Sequence, residues 1–551
     1  MKIQFSCLIV ALALCACSGQ SDNPPASAQQ NPQAQTSPAA ATSEKPAADS
    51  AKPDAAASAP DQTPPAAATP AEAAQAELIK KAEALTEQQI KQSRDPASLT
   101  KLAQLYSAQH DTQRFTWTLE QLTKMLPNLG NLRLQLAMAY SAANDKTRAY
   151  DTLVRMVNLG YSYEVDKDPH FENVHGTKVW DYIVNSFQGN AKQFGEGKVA
   201  FELPKGDYLF ESIAWDPKRK QFLVGSVREG KIYLADSNGK LGDFISADAG
   251  NGLWAVYGLA VDAAHDRLYA ISNGVPHFKG FNADMLGKAG VFEFSLSTGK
   301  FLHKYILPQD KGAHILSSIT VGGNGQVYAA DGVNQQIYHL DGGTLKLLTE
   351  NSALTGIRGL AVSGDGKILY LADVSLGIFG MDLTTSAPFD LAHNMDKLSL
   401  GGIDGLYWYD GTLVAIQNDM SPQRVMRLRL SADGRSIANA MPLDVAQPAF
   451  TSLAGSAVSG DGLYTIANSE KELYDGYGVL TGADKLEPVR IFRSNLRFAW
   501  DDKGVGGATQ PMATRAITPK ELQEMRTTPP KGFIPTPKKD DANKPAAGNL
   551  Q

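Results

Sequence analysis

Arg358-Gly-Leu-Ala-Val-Ser-Gly-Asp-Gly-Lys-Ile-Leu-Tyr-Leu-Ala-Asp373 reads as a complete β-hairpin. A small residue and an apolar pair lead into an Asp-Gly turn, whose glycine supplies the positive φ that a tight hairpin needs. Ile368-Leu-Tyr then returns with residues that suit a pleated, half-buried strand. The same design recurs at Glu211-Ser-Ile-Ala-Trp-Asp-Pro217, Tyr257-Gly-Leu-Ala-Val-Asp262, Ser317-Ser-Ile-Thr-Val-Gly-Gly-Asn-Gly325, Asp404-Gly-Leu-Tyr-Trp-Tyr-Asp-Gly411 and Gly455-Ser-Ala-Val-Ser-Gly-Asp-Gly462. Repetition at roughly 40–50 residues marks blades stacked around an axis. Six repeats predict a six-bladed, all-β propeller over residues 197–499. The first residue of each unit is expected where the innermost strands converge on the central channel, which places the chemistry at Glu211, Tyr257, Ser317, Arg358, Asp404 and Gly455. Lys198-Val-Ala-Phe-Glu-Leu203, ahead of the first blade, and Pro488-Val-Arg-Ile-Phe-Arg493 are expected to share the last blade and lock the ring, leaving no open edge there.

Residues 76–190 change period. Leu99, Leu102, Ala103 and Tyr106 fall at helical spacing, as do Leu119, Leu122 and Leu126. Moving along by about 34 residues, the tetratricopeptide period, superposes Leu102-Ala103 on Leu136-Ala137, Tyr106-Ser-Ala on Tyr140-Ser-Ala, Asp111 on Asp145 and Leu119 on Leu153. A small all-α, tetratricopeptide-like domain is therefore expected before the propeller, with Pro127 ending its first unit. Two readings stand for it: a module that buries one face against the propeller, or a groove that docks a protein partner.

The ends of the chain bear on location. Residues 1–17 carry one Lys, an apolar run and Leu14-Cys-Ala-Cys17-Ser, which resembles a bacterial lipobox with Cys17 as the lipidated residue. Ser18 follows in place of the Asp that retains some lipoproteins in the inner membrane, so an outer-membrane lipoprotein facing the periplasm is expected, attached to the membrane by lipid alone. Residues 18–75 contain no Val, Ile, Leu, Met or aromatic residue and are expected to be a disordered tether, as is most of the tail at 500–551. All three cysteines lie in the leader, which removes thiol chemistry from the mature chain. A net charge of -6 without a long basic run argues against nucleic acid as a partner. The chain has no Gly-Lys-Ser/Thr phosphate loop, no Gly-x-Ser-x-Gly elbow and no His-Glu-x-x-His motif.

Glu211-Ser-Ile-Ala-Trp-Asp-Pro with Phe222-Leu-Val-Gly-Ser and Gly230-Lys-Ile-Tyr resembles the opening blade of the senescence-marker-protein/gluconolactonase family, which includes regucalcin-like lactonases. Gly402-Ile-Asp-Gly-Leu-Tyr and Val414-Ala-Ile-Gln-Asn-Asp resemble a later blade. The resemblance implies a divalent cation, Ca²⁺ or Zn²⁺, held at the channel through Glu211 and Asp404, with Asp404 also acting as the catalytic base in lactone hydrolysis. It departs from the family at two places: Arg358 stands for a ligand Asn, and Ser317 for a substrate-contacting Asn. A guanidinium offers five donors and no acceptor, so it cannot ligate a metal. Arg358 is instead expected to form an ion cluster with Glu211 and Asp404, which disfavours a tightly bound cation.

The expected role is binding of a small molecule or peptide at the channel through Glu211, Tyr257, Ser317, His314, Arg358 and Asp404, with hydrolysis a lesser prospect. The alternative is a non-catalytic scaffold that holds envelope partners through the helical repeats and a propeller face. His277, in the insertion Asn273–Gly290, is a weaker acid/base candidate, and Trp254, Trp408 and Tyr409 are read as packing residues by default.

Overall fold

The computed structural model describes residues 77, 79–309 and 312–498. The leader, Cys17, the 18–75 tether and the 500–551 tail all lie outside them. Residues Cys15–Leu85 form a separate unit, of which only Glu77 and residues 79–85 are described, mostly as helix.

From Thr86 onward a helical layer precedes the sheets. Helices α1 (Glu87–Gln92), α2 (Pro96–Ala108), α3 (Thr112–Met125), α4 (Gly130–Ala142), α5 (Lys146–Asn158) and α6 (Lys178–Asn190) pack as neighbours in sequence. Two of these helices are capped alike. Asp111 and Asp145 cap α3 and α5 by accepting from the backbone N–H three residues on, each at 3.0 Å. The residue before each cap, His110 and Asn144, turns the chain at φ 57°. Leu99, Ala103, Tyr106, Leu119, Leu136, Ala137, Tyr140 and Leu153 are buried between the helices.

Six four-stranded antiparallel sheets follow. Blade 1 is β2 (Phe210–Asp216), β3 (Gln221–Ser226), β4 (Lys231–Ala235) and β5 (Leu241–Ile245); blade 2 is β6 (Ala255–Asp262), β7 (Arg267–Asn273), β8 (Ala289–Ser295) and β9 (Phe301–Ile306). Blade 3 is β10 (Leu316–Val321), β11 (Val327–Asp331), β12 (Gln336–Asp341) and β13 (Thr344–Glu350); blade 4 is β14 (Ile357–Val362), β15 (Ile368–Asp373), β16 (Gly377–Asp382) and β17 (Ala387–Asp390). Blade 5 is β18 (Ile403–Tyr409), β19 (Thr412–Gln417), β20 (Arg424–Leu430) and β21 (Ile437–Val445). Blade 6 takes β22 (Ser456–Ser459), β23 (Gly462–Ile466) and β24 (Val489–Asn495) from the end of the propeller and β1 (Lys198–Leu203) from its beginning. The expected ring closure is therefore present, with Val199 opposite Phe492 and Leu203 opposite Val489.

Each middle strand is covered on both faces by the adjacent blades, so alternation gives way to continuous burial: all of Thr412–Gln417 and all of Val327–Asp331 are buried. The core lies in the seams between blades, as where Tyr370, Leu406, Leu413 and Leu428 meet, or Val414, Leu463 and Phe492.

One polar position recurs inside this apolar frame, at the last residue of the second strand of a blade. Asp373 is wholly buried and accepts from the backbone N–H groups of Thr355, Gly356, Ser375 and Leu376 at 2.6–3.0 Å, and from the Thr355 hydroxyl at 2.6 Å. Asp331 receives the N–H groups of Val333 and Asn334 at 2.9 and 3.2 Å. Asn273 exchanges two 2.9 Å bonds with the backbone of Leu316 in the next blade. These side chains tie the loops to the strands, and each uses its own polar atoms in doing so.

The helical layer is joined to blade 5. Ser162 N donates to Ser421 O at 2.7 Å, Ser421 Oγ donates to Ser162 O at 2.7 Å, and Phe194 pairs with Val445 as an antiparallel bridge. Of the two readings offered for this layer, packing against the propeller is what these contacts show. No helix among the described residues is long and apolar enough to cross a membrane.

Candidate functional site

Five of the six expected channel residues occupy one structural position. The pairing of the first two strands skips a residue between Phe210 and Ser212, Val256 and Gly258, Leu316 and Ser318, Ile357 and Gly359, and Ile403 and Gly405. The skipped residues are Glu211, Tyr257, Ser317, Arg358 and Asp404. A bulge leaves its extra residue out of the ladder and re-aims its side chain, so one irregularity repeated five times directs five side chains from the start of the innermost strands. In the sixth blade Gly455 donates its N–H to Glu211 O at 3.1 Å. A Cβ at Gly455 would lie 2.6 Å from that oxygen, so only glycine fits. Neighbouring innermost strands are stitched in the same way elsewhere, with Ser317 Oγ donating to Ile357 O at 2.6 Å and Ser456 N to the Tyr407 hydroxyl at 2.8 Å.

Two loops complete the mouth. The turn after β19 brings Asn418, whose amide donates to Asp404 Oδ2 at 3.2 Å, and Asp419. The long connection from β23 to β24 brings Ser469, Lys471 and Glu472. Lys471 Nζ stands 4.0 Å from Asp404 Oδ2, and Glu472 Oε1 accepts from Ser452 Oγ at 2.8 Å. The same connection reaches the insertion after β7 through Arg228, which donates to His277 O at 2.5 Å, Gly478 O at 2.9 Å and Asp207 Oδ1 at 2.6 Å.

The charges perturb one another as a group. Burial raises the pKa of Glu211, and Asp404 and Glu472 add to the rise against the opposing pull of Lys471 and the Ser469 hydroxyl. Asp419 is open to solvent on one side and walled by protein on the others; that wall raises its pKa, with Asp404 next, while Lys471 and Arg358 counter it. Burial acts to lower the pKa of Lys471, but the carboxylates of Asp404, Glu211, Asp419 and Glu472 outweigh it and raise it. Burial and the nearby Glu211 push the Tyr257 phenol up.

The ion cluster expected of Glu211, Arg358 and Asp404 needs correction. Arg358 is exposed and makes no ion pair with either carboxylate; the cation among them is Lys471. Its positive charge is felt at Asp419, where it acts to lower the pKa. His314 needs correction too. It is buried, with Nδ1 2.6 Å from Asp331 Oδ2 and Nε2 2.9 Å from Pro308 O, so neither ring nitrogen is left for a ligand. His277 sits in the loop that Arg228 holds, where burial lowers its pKa. Trp254 packs on Phe292, Trp408 on Tyr370, and Tyr409 lies beneath Arg427.

A divalent cation does not fit this donor set. An ammonium already stands among the carboxylates that would hold it, and among the described residues no three His, Cys, Asp or Glu side chains are grouped so as to hold a metal ion.

Asp419, Lys471 and Glu472 were not legible as site residues, because they lie on connections outside the repeat and reach the mouth only through the fold. A weak signal did exist in the unequal loop lengths, since residues 467–488 form the longest insertion after a second strand.

Fold and mouth together define a six-bladed β-propeller with a charged channel entrance. No protein-family model matches the chain, and no curated protein matches it. Among solved structures it is similar to the pyrroloquinoline-quinone-bound aldose sugar dehydrogenase of Streptomyces coelicolor, at 15% identity over 55% of this chain and 98% of that one, with a TM-score of 0.38. A gluconolactonase of Xanthomonas campestris is similar at 14% identity over 55% of this chain and 91% of that one, TM-score 0.36. A luciferin-regenerating enzyme is similar at 16% identity over 56% and 95%, TM-score 0.38. At these identities the likeness is one of fold.

Proposed function

We propose that this is a lipoprotein of the bacterial envelope, anchored through Cys17, whose propeller is a relative of the regucalcin-like lactonases and binds a small polar molecule at its channel mouth. One observation carries the binding reading: Glu211 Oε1 is a buried carboxylate oxygen with no hydrogen-bond partner, in a group of charges where Lys471, Asp404 and Glu472 act on it. A buried acceptor left unmade costs about 1–3 kcal/mol, and a ligand O–H or N–H recovers that cost. Asp404 and Asp419 add acceptors, while Lys471 and Arg358 add donors, so the complementary ligand is compact and rich in hydroxyl or amino groups. Metal-assisted lactone hydrolysis is not part of the proposal, because Lys471 holds the position from which a cation would act. The helical layer is read as tetratricopeptide-like, on the strength of the equal caps at Asp111 and Asp145, and serves as a packing module.

Calorimetric titration of the mature chain with a panel of aldonolactones, hexoses, amino sugars and amino acids tests the mouth. At least one compound is expected to bind, and Glu211→Gln and Asp404→Asn to weaken it tenfold or more. Binding indifferent to both variants overturns the reading. Cys17→Ala is expected to release the protein from membranes; unchanged fractionation overturns the anchor.

A scaffold reading rests on a different observation. Leu286, Tyr477 and Val479, on the two long loops that Arg228 joins, are 60%, 82% and 56% exposed. That reading prevails if the panel yields no ligand and the chain leaves the envelope as a stoichiometric complex that Tyr477→Ser disrupts.

A further inference from the structure

Strand β18 carries Asp404 at the mouth and ends about 17 Å from it, at roughly 3.3 Å per residue, just beyond Trp408. Around that far end lies a cleft of about 580 Å³. It is bounded by the β18–β19 hairpin, the β20–β21 connection and the β14–β15 turn of the neighbouring blade. Its volume falls in the range of small-molecule sites, roughly 300–1,000 Å³.

Two features of its lining are unusual together. The first is an indole platform. Trp408 is half-buried and lies parallel to the fully buried Tyr370, with ring centroids 6.1 Å apart and planes 10° apart, so the inner ring buttresses the outer one. The Tyr370 hydroxyl donates to Gly434 O at 2.9 Å and thereby fixes the cleft's opposite lip.

The second is a pair of matched acidic turns, Ser363-Gly-Asp365-Gly and Ser431-Ala-Asp433-Gly. In each the serine hydroxyl donates to Oδ1 of the aspartate at 2.6 Å, and the backbone N–H two residues beyond the aspartate donates to the same oxygen at 3.1 Å. Both carboxylates are thus oriented through Oδ1, while Oδ2 of Asp365 stands 3.7 Å from the exposed Lys367 Nζ. Both are held below the usual carboxylate range, first by the serine hydroxyl. Arg427 closes the floor and is already committed, to Thr412 Oγ1 at 3.0 Å and Leu496 O at 2.6 Å.

A ligand that matches this lining needs a flat face of C–H groups for the indole and several hydroxyl donors at the edge of that face for the carboxylates. A pyranose ring has both. Asp365, Asp410 and Asp433 line the space together with Arg427 and Arg429, so its charge balance stays on the acidic side and gives no preference to sugar acids or phosphorylated sugars. Fixed acceptors suit hydroxyl donors because no side-chain entropy remains to be lost on binding. We propose that this cleft is a carbohydrate site that seats one uncharged or amino pyranose on Trp408 between Asp365 and Asp433, independently of the mouth.

The test is a titration of the mature chain with glucose, galactose, N-acetylglucosamine, glucosamine, cellobiose and chitobiose, read by tryptophan fluorescence and calorimetry. At least one sugar is expected to bind, and Asp365→Asn with Asp433→Asn to weaken it about tenfold or more. Trp408→Ala is expected to abolish binding. Because that variant opens the blade 4–blade 5 seam, Gly364→Leu serves as a second: a Cβ at Gly364 falls 3.0 Å from Trp408 Nε1, so the side chain covers the indole edge without removing it. Trp408→Phe is expected to restore part of the affinity that Trp408→Ala removes. The proposal is overturned if none of the six sugars binds, or if binding survives Gly364→Leu and the double Asp→Asn variant, as binding at the mouth would.

Discussion

Asp373 and Glu211 are both carboxylates enclosed within the propeller, and they are treated oppositely. Asp373, at the end of β15, receives four backbone N–H groups and a hydroxyl. Glu211, bulged from β2, keeps an oxygen with no partner and has its pKa raised by burial. A charge that the fold needs is saturated; one that the fold merely tolerates is left with capacity to spare. That difference separates the polar frame of the blades from the mouth.

The largest effect is expected where saturation is complete. Asp373→Ala strands four N–H groups and should cost about 3–5 kcal/mol, read as a lower urea midpoint at unchanged m-value. A loss below about 1 kcal/mol would erase the distinction between frame and mouth.

Asp444, in β21, sharpens the comparison from between the two extremes. It is wholly buried and accepts from Gly197 N at 2.9 Å, but its Oδ2 has no partner. Burial pushes its pKa up to about 6, against the nearby Ser494 hydroxyl and the Gly197 N–H, which act to lower it. The folded pKa lies above the unfolded one, so the unfolded chain loses this proton first as pH rises. Stability from this group is therefore present below about pH 4 and is lost between about pH 4 and 6. Asp444→Asn should flatten that window and gain on the order of 2 kcal/mol at pH 7; equal slopes for variant and parent between pH 4 and 6 would contradict it.

At the mouth the effects should move from stability to binding. Lys471→Gln removes the internal cation from among Glu211, Asp404, Asp419 and Glu472. It should lower the melting temperature by no more than a few degrees while weakening, about tenfold or more, the binding of any ligand that calorimetry detects at the mouth. Tight Ca²⁺ binding by the unmodified protein, lost in Asp404→Asn, would show that Lys471 does not hold the cation position. Arg358→Ala should have the smallest effect, within about 0.5 kcal/mol of the parent, since the side chain is exposed and unpaired.

The positions of Glu211, Tyr257, Ser317, Arg358 and Asp404 were legible because repetition turns one blade into a template for the rest. What the repeat could not convey was which charges meet. Arg358 was assigned to the cluster from its place in the register, whereas the cluster's cation comes from Lys471 on a loop that no blade repeats. The polar frame had a readable signal that the hairpin pattern obscured: Tyr328-Ala-Ala-Asp331 and Tyr370-Leu-Ala-Asp373 end adjacent second strands alike. An aspartate closing an apolar strand in two repeats has no apolar role there, and its acceptor capacity is the reason for its presence. His314 was expected among the ligand-binding residues of the channel, and its partner Asp331 explains it as part of that frame instead.

The closure of blade 6 by β1 also orders events in time. β1 is made first and paired last, because its partner β24 lies roughly 290 residues further along, a loop whose closure costs about 5 kcal/mol in chain entropy. Until Val489–Asn495 has been synthesised, the Lys198–Leu203 segment has nowhere to dock, and the fifth blade presents a seam with nothing to cover it. The helical layer precedes β1 in the chain and is joined to blade 5, the neighbour of the blade that β1 completes. A chain truncated before β24 lacks the partner of β1 and with it the closure of the ring, which ties a closed propeller to synthesis through Asn495.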